Sequence, residues 1–232
     1  MKALAFVTLL ACAAPAQALE TCRLALALAL DVSSSVDEAE YALQKNGLAA
    51  ALDASEVRDA ILYGGDGYVA LAVYEWSGFG QQVLQLDWRA LRTQGDIDKA
   101  AVALSQMERS FDDFPTSLGP ALGYGAQLLA RAPNCTRRVI DVSGDGVNND
   151  RYGPREAYRH FNFAGVTVNG LVVLGDNAEV TAFYLTEVLY GPRSFVIEAV
   201  GYEGFQEAMT RKLYREINDV VIGQLDISED EG

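Results

Sequence analysis

Arg23-Leu24-Ala25-Leu26-Ala27-Leu28-Ala29-Leu30, followed at once by Asp31-Val32-Ser33-Ser34-Ser35, is the stretch on which the fold of this chain turns. After Arg23 the run is apolar with no polar face, and it has the length of a strand buried on both sides. A strand that ends on Asp-x-Ser-x-Ser and passes into a helix sets one carboxylate and two hydroxyls at the carboxyl edge of a sheet. Such hard oxygen ligands suit Mg²⁺ or Mn²⁺ better than a softer metal. Ser and Asp also begin helices routinely, so the five residues alone fit an N-cap equally well.

Outward from there, residues 36–54 read as a helix with Asp37 and Glu38 in its first turn, where the helix dipole favours acids. Residues 55–62 continue it or form a second short helix. Gly64-Gly65-Asp66-Gly67 is a turn, and residues 68–77 form a strand rich in Val, Tyr and Trp. The short link Ser77-Gly78-Phe79-Gly80 into residues 82–88 predicts a hairpin, hence one antiparallel strand. Helices are expected at 96–107, 116–130, 154–163, 177–189 and 204–222, and strands at 138–143, 167–174 and 194–200. Strands alternating with helices imply right-handed crossovers. The expected architecture is an α/β, doubly wound, mostly parallel six-stranded sheet, with one antiparallel edge strand and helices on both faces.

The ends bound the rest. Lys2, the apolar residues 3–14 and the small-x-small site Ala16-Gln17-Ala18 read as a signal peptide over residues 1–18. That stretch is too short to span a membrane as a helix. Residues 19–227 then form one domain, and 228–232 an acidic tail. The location expected from the leader is periplasmic or secreted. A net charge of −14 argues against nucleic acid and anionic membranes as partners.

Cys22 lies nine residues before Asp31, and Cys135 ten before Asp145. If the two strands are parallel neighbours with level ends, the cysteines face each other at the opposite edge, which predicts a Cys22–Cys135 disulfide in an oxidising compartment. His160 is the only histidine, and no Gly-x-Ser-x-Gly or phosphate-cradling Gly-x-x-x-x-Gly-Lys loop occurs. No catalytic constellation emerges, and the chain is read as a non-enzyme.

Three segments together resemble the metal-ion-dependent adhesion site (MIDAS) of von Willebrand factor A (vWA) domains. The first is Asp31, Ser33 and Ser35. The second is Thr116 in Phe114-Pro115-Thr116-Ser117-Leu118-Gly119-Pro120. The third is Asp145 in Asp141-Val142-Ser143-Gly144-Asp145-Gly146. The opening Leu30-Asp-Val-Ser-Ser-Ser-Val36 and the loop Ser143-Gly-Asp-Gly-Val-Asn-Asn149 also resemble an uncharacterised group of secreted bacterial vWA-like proteins. The resemblance covers nearly all of the chain after the leader. It implies a Rossmann-like vWA fold and a divalent cation, Mg²⁺ or else Mn²⁺ or Ca²⁺, held by Asp31, Ser33, Ser35, Thr116 and Asp145. It further implies a protein partner that offers a carboxylate to the metal.

Two departures stand out: Gly144 occupies a position that more often holds Thr, and Ser117 competes with Thr116. A Mg²⁺-dependent hydrolase of a phosphorylated or acidic small molecule, or a module whose ion only rigidifies loops, are the alternatives. Asp112 and Asp113 are read as solvated acids. Tyr152, Tyr158, Phe161 and Phe163, with Asn148-Asn149-Asp150, serve either ligand specificity or packing.

Overall fold

The computed structural model describes residues 21–175 and 178–218. The expected leader 1–18, the expected acidic tail 228–232, the expected helix start at Asn177 and the stretch 219–222 of the last expected helix lie outside the described residues. Within them, six strands form one sheet: β1 (Cys22–Asp31), β2 (Tyr68–Trp76), β3 (Gln82–Leu91), β4 (Cys135–Gly144), β5 (Val166–Leu174) and β6 (Val196–Val200), in the order β3-β2-β1-β4-β5-β6. All pairs are parallel except β2 with β3, the hairpin that the short 77–80 link demands.

β1 lies at the centre and its alternation sorts the two faces. Leu24, Leu26, Leu28 and Leu30 join one buried cluster with residues of α1 (Glu38–Asp53), α2 (Ser55–Tyr63), α3 (Gln94–Ser105) and α7 (Phe205–Asn218). Ala25, Ala27 and Ala29 join the other, with α4 (Leu118–Ala130), α5 (Pro154–His160) and the segment Val180–Val188 that opens with the short α6 (Val180–Phe183). Each buried Leu contributes about 2 kcal/mol by removal from water. The alanine face leaves room for a helix to approach closely, and α4 uses it with glycine: a Cβ at Gly125 would stand 2.7 Å from the Tyr74 hydroxyl and 2.9 Å from Ile140.

Cys22 and Cys135 are direct register partners in β1 and β4, with Cα atoms 4.4 Å apart, and they form a disulfide. The level strand ends inferred from the cysteine spacing are therefore real.

Helix starts differ from expectation where capping decides. Asp37 stands outside α1 as its N-cap, in a box with Glu40, rather than in the first turn. α3 starts at Gln94 because Thr93 caps it reciprocally with Asp96. α5 ends at His160 rather than Phe163. The helix expected over 177–189 is a four-residue α-turn, Val180–Phe183, that widens into a π-helical turn, Tyr184–Val188. Among the described residues, no helix is long and apolar enough to cross a membrane.

Candidate metal-ion site

The carboxyl edge of β1 and β4 brings the predicted residues together. Asp31 ends β1 fully buried, and its Oδ1 accepts the Ser33 N–H at 2.8 Å. Ser33 Oγ lies 3.2 Å from Ser35 Oγ. Ser35 Oγ in turn donates to Asp145 Oδ1 at 2.8 Å, just past β4. From the loop before α4, Thr116 Oγ1 donates to Ser33 Oγ at 3.3 Å. All five sequence-predicted residues thus form one cluster, with Asp31, Ser33 and Thr116 as a buried floor and Ser35 exposed at the mouth.

Ser117 does not compete: its hydroxyl donates to Asp150 Oδ2 at 2.5 Å, facing away from Ser33. Thr116 itself lies two residues ahead of α4 rather than in its first turn, because the helix begins at Leu118. Asp141 points into the sheet interior and pairs with Lys212 Nζ at 3.0 Å. Asp112 and Asp113 are exposed.

Electrostatically the floor is unfinished. Asp31 Oδ2 is buried and accepts no hydrogen bond. Burial first, and the Asp145 carboxylate second, push the Asp31 carboxyl up to about 8, against the bonds from Ser33. The cluster offers two carboxylates and three hydroxyls, all hard oxygens, a donor set that fits a small divalent cation. Among the described residues, no group of three or more His, Cys, Asp or Glu stands ready to hold a metal. Cation binding here would therefore draw on hydroxyls.

The loops are clamped by residues that sequence reading assigned no such role. Arg109 Nη2 donates to the carbonyls of Val32, Ser33 and Val36, tying down the first loop. Gln44 Nε2 donates to the Asp31 carbonyl at 2.9 Å. The second loop is held by the third: Asn149 Oδ1 accepts the Thr116 N–H at 2.9 Å while the Asn149 N–H donates to the Thr116 carbonyl at 3.0 Å. Asn148 Oδ1 accepts the Leu118 N–H at 2.8 Å, capping α4 in place of Ser117. Asp150 is held below the usual carboxylate range by the Ser117 hydroxyl and the Phe79 N–H. Asn148-Asn149-Asp150 is therefore a brace. The run of three amide and acid side chains was the available signal, but its targets lie about 30 residues away in sequence.

The aromatics of this region pack. Tyr158 stacks on Tyr190 with ring centroids 4.5 Å apart and meets Phe163 edge-on, while Phe161 lies where a Cβ on Gly123 would stand 2.7 Å away.

Beside the mouth, an open groove of about 470 Å³ is lined by Ser35, Asp145, Glu40, Tyr202 and Glu203.

The profile of the family described as "Protein of unknown function (DUF1194)" matches residues 21–221. The chain belongs to that family. No curated protein matches it in sequence. Among solved structures, this DUF1194 protein is similar to proximal thread matrix protein 1 of the mussel byssus with a zinc-occupied MIDAS motif. The two are 17% identical with a TM-score of 0.61 over 85% of this chain and 46% of that one. It is also similar to the PilB minor pilin of Streptococcus sanguinis, at 12% identity and TM-score 0.62, over 90% and 64%. The von Willebrand factor type A structure from Catenulispora acidiphila matches at 15% and 0.56, over 85% and 42%. The chain spans about half the length of the byssus protein. Likeness at these identities shows the fold, and the DUF1194 protein has the vWA-like one.

One departure from the vWA pattern has a structural cause in this DUF1194 chain. A Cβ at Gly144 would fall 2.8 Å from Asp31 Oδ2 and 2.7 Å from the Tyr184 hydroxyl. Tyr184, fully buried in the π-helical turn, fills the space beneath Asp31 that a Thr at position 144 would enter.

Proposed function

We propose that this protein is an exported vWA-like binding module that holds a divalent cation, Mg²⁺ in the first place, at Asp31, Ser33, Ser35, Thr116 and Asp145. Through that cation it captures a carboxylate on a protein partner. The observation that carries the reading is that these five residues form one hydrogen-bonded cluster in which the buried Asp31 Oδ2 has no partner. A metal bound largely by neutral hydroxyls keeps much of its charge, so an acidic protein gains one local point of attraction for an acidic ligand.

The surroundings favour one direction of approach. Glu40 and Glu203 flank the groove on one side. Near the brace residue Asp150, Phe79 is 55% exposed with the Arg151 guanidinium 5.2 Å from its ring, a surface suited to the rest of an acidic segment. Reading residues 1–18 as a leader and 19–227 as the domain agrees with the disulfide, which persists in oxidising compartments.

Calorimetric titration of EDTA-treated protein with Mg²⁺ and Mn²⁺, beside Asp31→Asn, tests the reading. Saturable one-site heats, lost in the variant, are expected. Equal weak heats in both proteins would leave the Asp-x-Ser-x-Ser loop as a simple helix entry and remove the adhesion mechanism.

A further inference from the structure

The opposite edge of the sheet carries a second concentration of charge, of the other sign. Under the first residues of β4 and β5, beside α7, lies a cavity of about 330 Å³ lined by Arg137, Arg138, Arg193, Arg215, Thr167 and Ser194. Four arginines meet there in a chain whose acids outnumber its Lys and Arg by 32 to 18.

All four line the cavity. Arg138 is drawn toward α4 by a bond to the Leu129 carbonyl. Arg137 is oriented from the α7 side by donating to the Glu216 carbonyl at 2.9 Å. Arg193, in the loop before β6, lines the cavity and has a left-handed φ of 59°, which a non-glycine residue seldom adopts. Arg215 is half-buried and stacks over Phe195, its guanidinium carbon 3.7 Å from the ring centroid. No carboxylate or carbonyl among the described residues accepts its N–H groups. On the same wall Glu216 is engaged at its Oε1 by Lys212 and Asn169, each at 2.9 Å, while its Oε2 is buried without a hydrogen-bond partner.

We propose that this cavity is a binding site for a small oxyanion, a phosphate or carboxylate group held by the guanidinium groups of Arg215, Arg193 and Arg137. Planar guanidinium donors match both anions in fork geometry. The volume lies at the low end of small-molecule sites, about 300–1,000 Å³, which suits an ion or a short diacid. The site is independent of the candidate cation site: Arg137 and Asp145 are separated by the length of β4, about 25 Å at roughly 3.3 Å per residue.

The test uses the full chain treated with EDTA, so that no anion is recruited through a divalent ion. Inorganic phosphate and succinate are titrated separately into the wild type, Arg215→Gln and Arg193→Gln, with the thermal unfolding midpoint of each recorded alongside. The expected result is saturable binding of one probe or both, weakened tenfold or more in each folded variant and weakened again by added salt. The probe that binds more tightly identifies the anion class. Should Arg215→Gln not fold, Arg193→Gln decides. Absence of binding by the wild type, or wild-type affinity in a folded variant, overturns the proposal.

Discussion

Two carboxylate pairs, each anchored by a buried aspartate on one of the neighbouring strands β1 and β4, are treated in opposite ways. Asp141 and Glu216 share the ammonium group of Lys212, at 3.0 and 2.9 Å, with all three side chains almost wholly inaccessible. Asp31 and Asp145 are linked only through Ser33 and Ser35. Burial leads the causes in each case: it pushes the Asp31 carboxyl up to about 8, and burial with the neighbouring Glu216 carboxylate pushes Asp141 upward as well. One pair is completed from within the fold by a covalently attached cation. The other sits at a loop edge, open at Ser35 and Asp145, where the proposed cation would enter from solution. The difference separates a structural ionic cluster from a candidate binding site more cleanly than the acid count does.

The sharpest way to break this comparison is Lys212→Met. If Lys212 is the built-in cation, its removal strands two buried carboxylates and costs about 3–5 kcal/mol in denaturant unfolding at pH 8. A loss below about 1 kcal/mol would show that Asp141 and Glu216 do not need it.

Next in size is the effect of metal. A ligand that binds only the folded state at a hundred times its Kd stabilises it by about 2.7 kcal/mol. Saturating Mg²⁺ or Mn²⁺ should raise the unfolding midpoint of the wild type and of any folded Lys212 variant, while leaving Asp31→Asn unmoved. An equal response from Asp31→Asn would mean that the ion acts elsewhere.

pH separates the pairs further. A carboxyl raised from about 4 in the unfolded chain to about 8 in the folded one keeps its proton longer when folded. Between those values the native state binds more protons, so stability falls as pH rises and levels off above 8. In the metal-free protein both Asp31 and Asp141 contribute to that decline. Saturating Mg²⁺ should flatten only the part due to Asp31, and Asp141→Asn only the part due to Asp141. Unfolding curves at pH 5, 6.5 and 8, with and without metal, resolve the two.

The smaller effects lie beneath the site. Gly144→Ala forces a methyl group against Asp31 Oδ2 and the Tyr184 hydroxyl, at a cost of about 1–3 kcal/mol. Tyr184→Phe removes a buried hydroxyl that has no hydrogen-bond partner. It should be neutral or slightly stabilising, and should recover part of the loss when combined with Gly144→Ala. Chemical denaturation of the two single variants and the double variant measures the coupling.

Much of this was legible in the sequence because it rests on local pattern. The Leu-Ala alternation from Leu24 to Leu30 marked a strand buried on both faces. The distances of Cys22 and Cys135 from Asp31 and Asp145 set the parallel register that the disulfide staples. The cluster of Asp31, Ser33, Ser35, Thr116 and Asp145 followed from three loop motifs. What stayed hidden depends on side chains meeting across long sequence separations. Lys212 and Glu216 are one helical turn apart, which local spacing reveals, but their third member, Asp141, comes from β4 about 70 residues away. The same limit concealed Arg109 beneath the first loop and Asn148 as the cap of a helix that precedes it in sequence. The π-helical turn at Tyr184 escaped because it arises from tertiary packing of the ring under the site, which no local propensity encodes.

That ring ties the history of two positions together. Space at the floor of the site can be filled from the strand end, by a side chain at 144, or from below, by an aromatic at 184, but not by both. Among relatives sharing this fold, a Thr before the Asp-Gly pair should therefore coincide with a residue smaller than Tyr at the position of Tyr184. Pairs that break this exchange should show a shifted β5 or a rebuilt loop after it.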